Sequence, residues 1–590
     1  MVALSVPVGA AAAGVALLLL KGIGFLTNLL WHGIISTSLA SPAGSGLGPV
    51  AILIPVAGGV VVGLMARFGS EGIRGHGIPE AMENILVRGS QVSPRLAVLK
   101  PVSSVVSIGT GGPFGAEGPI ILTGGAVGSL VAQFFHFTAS ERKTLLVAGA
   151  AGGMSGVFAT PVAATLLAVE LLLFEWKPRS MVPAATAAAV AAAVRMRFSD
   201  AGLLSPAPLF PVPEHAILDE RGLLSALVIG VACGLLAWVL TGAVYGAEDA
   251  FGRLPIHWAW WPAIGGVVVG VGGLINDRAL GVGYDTLSDE LAGRLTVTAL
   301  VSLVLVKLVI WSVALGSGTS GGVLAPLLIM GAGVGGMLSP ILAGASIGTW
   351  CVLGMASALA GVMRSPFTAI VFAFELTHDA NVLLPLLIAT TAAHAMSVLL
   401  LRRSILTEKV ARKGVHVTRE YAVDPLEALR VRDVMQTEVT TLRADTPVSE
   451  IRDAVAATPR RGDALLYPVM GPDGRMAGVV SWSDIVTAGE DGPVGELLRT
   501  EPVVAGRDET LRQAADRMAA HRIGVMPVVD EADPGILHGL VARADLFRAQ
   551  MRMIEEERRR ERVLRLRPLR PGDEEHPPRR APEGERAVRR

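Results

Sequence analysis

The sequence predicts an all-α polytopic membrane body followed by a soluble α/β tail, and three observations carry that fold class. Hydrophobic residues make up 51% of the 590 and charged residues 17%, with a mean hydropathy of +0.53, too apolar for an ordinary soluble chain. Charge is unevenly spread: about 10% of residues 1–410 are Asp, Glu, Lys or Arg, against about 34% of the last 180. Apolar runs recur from 8–33 through 382–401, many of them shorter than the ~20 residues of a perpendicular span or broken by Gly and Pro.

Composition also excludes several functions. Net charge is zero, so no global field favours nucleic acid. Cys233 and Cys351 sit in apolar runs and make neither a disulfide framework nor a zinc site. There is no H-E-x-x-H and no G-x-x-x-x-G-K-[ST], which removes a zincin-type membrane protease and a P-loop pump. The first charge is Lys21, so the first apolar run reads as a membrane helix and not as a cleaved signal.

Within the body, two glycine-rich breaks occupy matching places in two halves: 109–119, ending Gly115-Ala116-Glu117-Gly118-Pro119, and 316–326, ending Gly322-Val323-Leu324-Ala325-Pro326. Interrupted spans in matching positions point to a transporter site. Each break ends in x-Pro and opens an apolar helix, so free N–H groups lie at a positive helix end, where an anion binds without a cation. Either break alone reads equally as a turn packed by small residues. Glu117 changes that balance, because an ionisable group inside the membrane is a functional-site candidate. Its carboxylate can occupy an anion's place, and protonation would release it.

These residues carry a family resemblance. Gly75-His76-Gly77-Ile78-Pro79-Glu80, Gly115-Ala116-Glu117-Gly118-Pro119, Gly322-Val323-Leu324-Ala325-Pro326 and Phe158-Ala159-Thr160-Pro161 resemble, in order and rough spacing, motifs of CLC chloride channels and chloride/proton antiporters. So does the run from Gly354 through Arg364-Ser365-Pro366-Phe367 to Glu375-Leu376-Thr377. The resemblance implies two inverted repeats, a homodimer, and an anion pathway in each subunit. It places Glu117 as the gate, and His76, Gly77, Ile78, Gly115, Val323 and Leu324 as anion contacts.

Three positions depart from the family, and charged residues nearby bear on its proton path and field. His76 stands where the family has serine; imidazole still donates a hydrogen bond, and it adds a pH-dependent charge. Leu406, in Ser404-Ile405-Leu406-Thr407, replaces the inner-gate tyrosine. Leu171 falls at the antiporters' proton-receiving glutamate. Glu170 beside it and Glu175, one turn on along the same helical face, are the acids left for a proton path, and Glu175 reads equally as a helix-end cap near Lys177 and Arg179. Lys100 matches a family lysine and is expected to contribute positive field to the pathway, whereas Lys307 is expected to snorkel to an interface.

Basic residues Arg402, Arg403, Lys409, Arg412 and Lys413 after the last span place the tail in the cytoplasm. Residues 431–548 hold an internal repeat that resembles a CBS-domain pair, closing with Ser481-Trp482-Ser483-Asp484 and Ala542-Arg543-Ala544-Asp545. In such pairs these positions bind adenine nucleotides, which implicates Ser481, Asp484 and Asp545; both aspartates are also ordinary helix N-caps. The expected layout is a transport domain at 1–415, a linker at 416–430, CBS units at 431–490 and 491–550, and a charged extension at 551–590, helical to about 565 and then disordered. The expected function is chloride or similar anion transport across the plasma membrane, channel-like or weakly proton-coupled, with no required cofactor, no metal, no nucleic-acid partner and no enzymatic activity. The alternatives are a strict chloride/proton antiporter using Glu175 or Glu170, and a membrane sensor with an inactive transporter-like body.

Overall fold

The computed structural model describes residues 1–213, 215–412, 426, 429–457, 466–488, 492–499 and 501–560. Most of the expected linker at 416–430 and the extension beyond Arg560 lie outside the described residues. The chain divides into two compact units, a helical body and the tail.

The body runs its helices twice in one order. Val2–Thr27, Leu53–Phe68, Ile78–Leu86, Pro94–Gly109, Glu117–Phe134, Ala139–Phe158, Pro161–Leu167 and Pro178–Asp200 are followed by Glu220–Gly252, Trp261–Ile275, Tyr284–Leu291, Val297–Gly316, Leu324–Met337, Ile347–Met363, Pro366–Thr377 and Leu383–Leu400. Ile405–Arg412 closes the series. Among the described residues, eight helices are long and apolar enough to cross a membrane. Many of the others are short because Gly and Pro stop them, and their ends are met inside the protein.

Reciprocal contacts relate the halves. A Cβ on Gly59 would lie 2.3 Å from the Pro262 carbonyl oxygen, and one on Gly266 would lie 2.5 Å from that of Pro55, so these two helices touch backbone to backbone. Glu170 accepts from the Thr368 N–H (2.9 Å) and hydroxyl (2.5 Å) at the start of Pro366–Thr377. Glu375, on that helix, accepts from the Val162 and Ala163 N–H groups (3.0 and 2.8 Å) at the start of Pro161–Leu167. Each carboxylate thus caps the helix that carries the other.

The tail repeats one unit. Leu442–Arg443, Leu466–Met470 and Met476–Ser481 form one sheet, and Ala505–Gly506, Val525–Val529 and Leu537–Ala542 the other. In each, the first strand is parallel to the second and the third antiparallel, with a register shift at corresponding places, Val469/Met470 and Val528/Val529. Val448–Ala457 and Leu511–His521 are the unit helices, and Trp482–Thr487 and Arg543–Arg560 follow the last strands.

The reciprocal caps generate a prediction. Glu170→Ala and Glu375→Ala should each lower stability by about 1–2 kcal/mol, read as a fall in the detergent-solubilised protein's Tm. An unchanged Tm in both would show that the caps contribute nothing.

Candidate anion pathway

Three glycine-rich loops meet at the centre of the body. The Gly115 N–H donates to the Gly322 carbonyl (3.3 Å), and the Gly322 N–H donates to the Gly115 carbonyl (3.0 Å). The Gly321 N–H reaches the Gly75 carbonyl (3.4 Å). Gly118 is enclosed: a Cβ there would lie 1.9 Å from the His76 carbonyl oxygen and 3.1 Å from the Gly322 Cα. Gly77, at φ 92, takes a conformation that a side chain disfavours. Ser103 and Ser104 each bond the Ser320 hydroxyl at 3.0 Å, tying Pro94–Gly109 to the second break.

Helices start from these loops, so their unpaired N–H groups converge. Gly77 precedes Ile78–Leu86 and its N–H is bound by the Glu80 side chain (2.6 Å). Glu117 is the first residue of Glu117–Phe134, and Val323 caps Leu324–Met337. Ile78, Gly115, Val323 and Leu324 are all buried. Glu117 is 0% exposed; its Oε1 accepts from the Tyr284 hydroxyl at 3.0 Å, while Oε2 has no hydrogen-bond partner.

His76 is 1% exposed, and neither ring nitrogen has a partner. A loop histidine turned to water is therefore not what the fold makes. Lys100 is wholly buried and donates to the Ile73 and Gly75 carbonyls (2.8 and 2.9 Å), so its ammonium group pins the loop that carries His76. Lys307 does not snorkel: it is also 0% exposed and donates to the Ala279 carbonyl (3.1 Å), because the loop before Tyr284–Leu291 folds over it. Leu406 is buried on Ile405–Arg412, and the nearby Tyr245 hydroxyl is engaged by the Ile405 carbonyl.

The acids near the expected proton path separate. Leu171 is buried and Glu170 caps the Pro366–Thr377 helix. Glu175 does not share a helical face with Leu171. The helix opens into a π turn over Ala168–Leu173, and Phe174 adopts φ 54, so the chain leaves the helix before Glu175.

The sequence reasoning missed Tyr284, Arg195 and Glu290. Arg195 is 3% exposed and donates to the Val157 and Ser205 carbonyls (3.3 and 3.0 Å). Glu290 is 1% exposed, and neither carboxylate oxygen has a partner. A rare charge in an apolar stretch was the available signal for Arg195.

In the tail, Ser481 and Asp484 bond one another. The Ser481 hydroxyl donates to Asp484 Oδ2 (2.6 Å) and accepts from the Asp484 N–H (3.2 Å). That hydroxyl, with the Ser481 N–H and the Arg499 guanidinium, holds the Asp484 carboxyl below its ordinary range. Asp545 is 3% exposed, accepts from the Ala542 N–H (2.8 Å) and pairs with Arg548.

A membrane body with helix starts converging on a buried carboxylate defines an anion-conducting architecture. The chain belongs to the voltage gated chloride channel family, whose model matches residues 58–398. Residues 431–491 and 494–552 match the CBS domain. The H(+)/Cl(-) exchange transporter ClcA of Salmonella paratyphi B is 30% identical, over 56% of this chain and 71% of its own length. Chloride channel protein CLC-e of Arabidopsis thaliana is 31% identical over 63% of this chain, which spans 56% of that relative. The crystal structure of a eukaryotic CLC transporter shares the fold at 20% identity, with a TM-score of 0.56, covering 92% of this chain and 97% of its own.

Proposed function

We propose that this protein transports chloride or a similar small anion through each subunit of a homodimer in the plasma membrane, with Glu117 as the gate and the tail cytoplasmic. One observation carries the reading: a wholly buried carboxylate at the start of Glu117–Phe134, beside the Gly115–Gly322 bridge. That is where helix-end N–H groups favour an anion, and a side-chain carboxylate there competes with a permeant one. His76 supplies a donor to the central anion, since its buried ring nitrogens have no protein partner. The main chain of Gly77, Ile78, Gly115, Val323 and Leu324 supplies the rest. Lys100 holds the His76 loop and adds positive field, and Leu406 brings no hydroxyl to the position of the family's inner-gate tyrosine. The relatives are channels and transporters, and this chain acts as one of them, not as an enzyme.

Coupling to protons is weak in this reading. The proton-receiving position is the apolar Leu171, Glu170 is held by a helix start, and Glu175 lies beyond the helix. In the tail, the self-contained caps at Ser481–Asp484 and Ala542–Asp545 favour a structural CBS pair over one that binds adenine nucleotide.

Three outcomes test this. In liposome efflux, Glu117→Gln should keep anion flux and lose its pH dependence; retained pH dependence would remove Glu117 as the gate. Under crossed anion and proton gradients, reversal potentials should show little uphill proton movement, in the wild-type chain and in Glu175→Gln alike. Fixed-ratio proton pumping would instead establish strict exchange, and its survival in Glu175→Gln would point to Glu170 or a water wire. Millimolar ATP should leave the full chain's Tm unchanged; a rise abolished by Asp484→Ala would make the tail a nucleotide site.

A further inference from the structure

We infer that Tyr284 is the outer anion ligand of this protein and the latch of its gate. Its hydroxyl holds the Glu117 carboxylate in the closed state and passes to the permeant anion when that carboxylate leaves. The inference rests on the reading of Glu117 as the gate.

The repeat supplies the first argument. Gly77 and Gly283 are corresponding residues, each a positive-φ glycine (92 and 78) opening a short helix. Each follows a loop whose carbonyls are held by a buried lysine, Lys100 in one half and Lys307 in the other. The first loop brings its main chain against Gly118. The second brings a side chain to Glu117 itself, and among the described residues the hydrogen bond to that carboxylate from another side chain comes from the Tyr284 hydroxyl.

Placement supplies the second. The Tyr284 ring stands edge-on to Phe158 and Phe210, each at 5.9 Å between centroids, which fixes the hydroxyl's direction. Tyr284 is half-buried whereas Glu117 is wholly buried, so of the two the tyrosine is the more accessible. Positive charge flanks it. Arg195 faces Tyr284 from Pro178–Asp200, and the Lys307 Nζ lies 3.3 Å from where a Cβ on Gly283 would stand. Asp285 and Glu290, on the tyrosine's own helix, bear on Lys307. A carboxylate and a chloride ion ask the same of this hydroxyl, one strong donor directed at negative charge. The donor that the family places on its last helix is absent at Leu406, and here a tyrosine hydroxyl sits at the gate.

The test is Tyr284→Phe in liposome flux assays on the full chain, alone and with Glu117→Gln. Without the hydroxyl the carboxylate loses a charge-assisted bond, so acid activation of flux should move about one pH unit higher. Discrimination of chloride from nitrate should fall about threefold, since a fixed donor compensates the dehydration of the smaller ion more. In the double variant the pH shift should vanish and the selectivity change persist. Fluorinating the ring through 3-fluorotyrosine at position 284, a stronger donor of nearly the same shape, should move the profile lower; this arm decides the matter if the Phe variant does not accumulate. A wild-type pH profile and selectivity in Tyr284→Phe, or a uniform loss of flux with both unchanged, would overturn the inference. Glu117→Gln reports separately: pH dependence retained there would sink the gate and leave the tyrosine result to stand on selectivity alone.

Discussion

The two hydrogen bonds between Gly115 and Gly322 decide where the rest of the body can lie. They join a residue of the first half to its counterpart in the second, so both interrupted spans end at one place. Backbone can pair like this inside a membrane only where it is enclosed by protein, and the enclosure is glycine against glycine: Gly77, Gly118 and Gly322 leave no room for a Cβ between them. Once the loops are fixed, the helices that start from them have their N-termini aimed at a common centre. The anion site is thus a consequence of ending two spans early and joining the ends.

The same two-fold logic spreads outward. Reciprocal caps by Glu170 and Glu375 tie Pro161–Leu167 to Pro366–Thr377, and reciprocal glycine contacts tie Leu53–Phe68 to Trp261–Ile275. Lys100 and Lys307 repeat the pattern with charge, each buried and each bound to carbonyls of the loop that precedes a short helix. A buried ammonium group is tolerable where carbonyls replace its water. The two loops then diverge in use: one ends at His76, beside the centre, and the other at Tyr284, beside the gate.

The local features of this fold were legible in the sequence, and the long-range ones were not. Both glycine breaks and Glu117 at a helix start announce themselves within a dozen residues each, and the tail unit announces itself by recurring. Tyr284 does not, because its meaning comes from a carboxylate 167 positions away. Lys307 reads as a snorkelling residue by its apolar run alone, since nothing local shows that the loop at Ala279 folds over it. Glu175 was misplaced for another reason: apolar periodicity continues past Leu171, but the π turn and the left-handed Phe174 end the helix, and periodicity carries no signal for either.

The donors around the half-buried Glu170 and Glu375 differ in kind from those around the wholly buried Glu117. Glu375 accepts from two helix-end N–H groups, and Glu170 from an N–H and a hydroxyl. Such bonds to a charged group are worth roughly 1.5–3 kcal/mol each, so displacing either carboxylate would strip a helix start of its cap. Glu117 accepts from the Tyr284 hydroxyl at Oε1, its Oε2 has no hydrogen-bond partner, and the N–H groups of Glu117 itself and of Ala325 also bear on the carboxylate. It is the first residue of its own helix, where an anion is favoured. In the proposed gating, a permeant anion that displaces Glu117 takes over the Tyr284 hydroxyl. The chemistry that ties Glu170 and Glu375 across the halves, donors directed at a carboxylate, is the same chemistry on which the proposed gate at Glu117 draws.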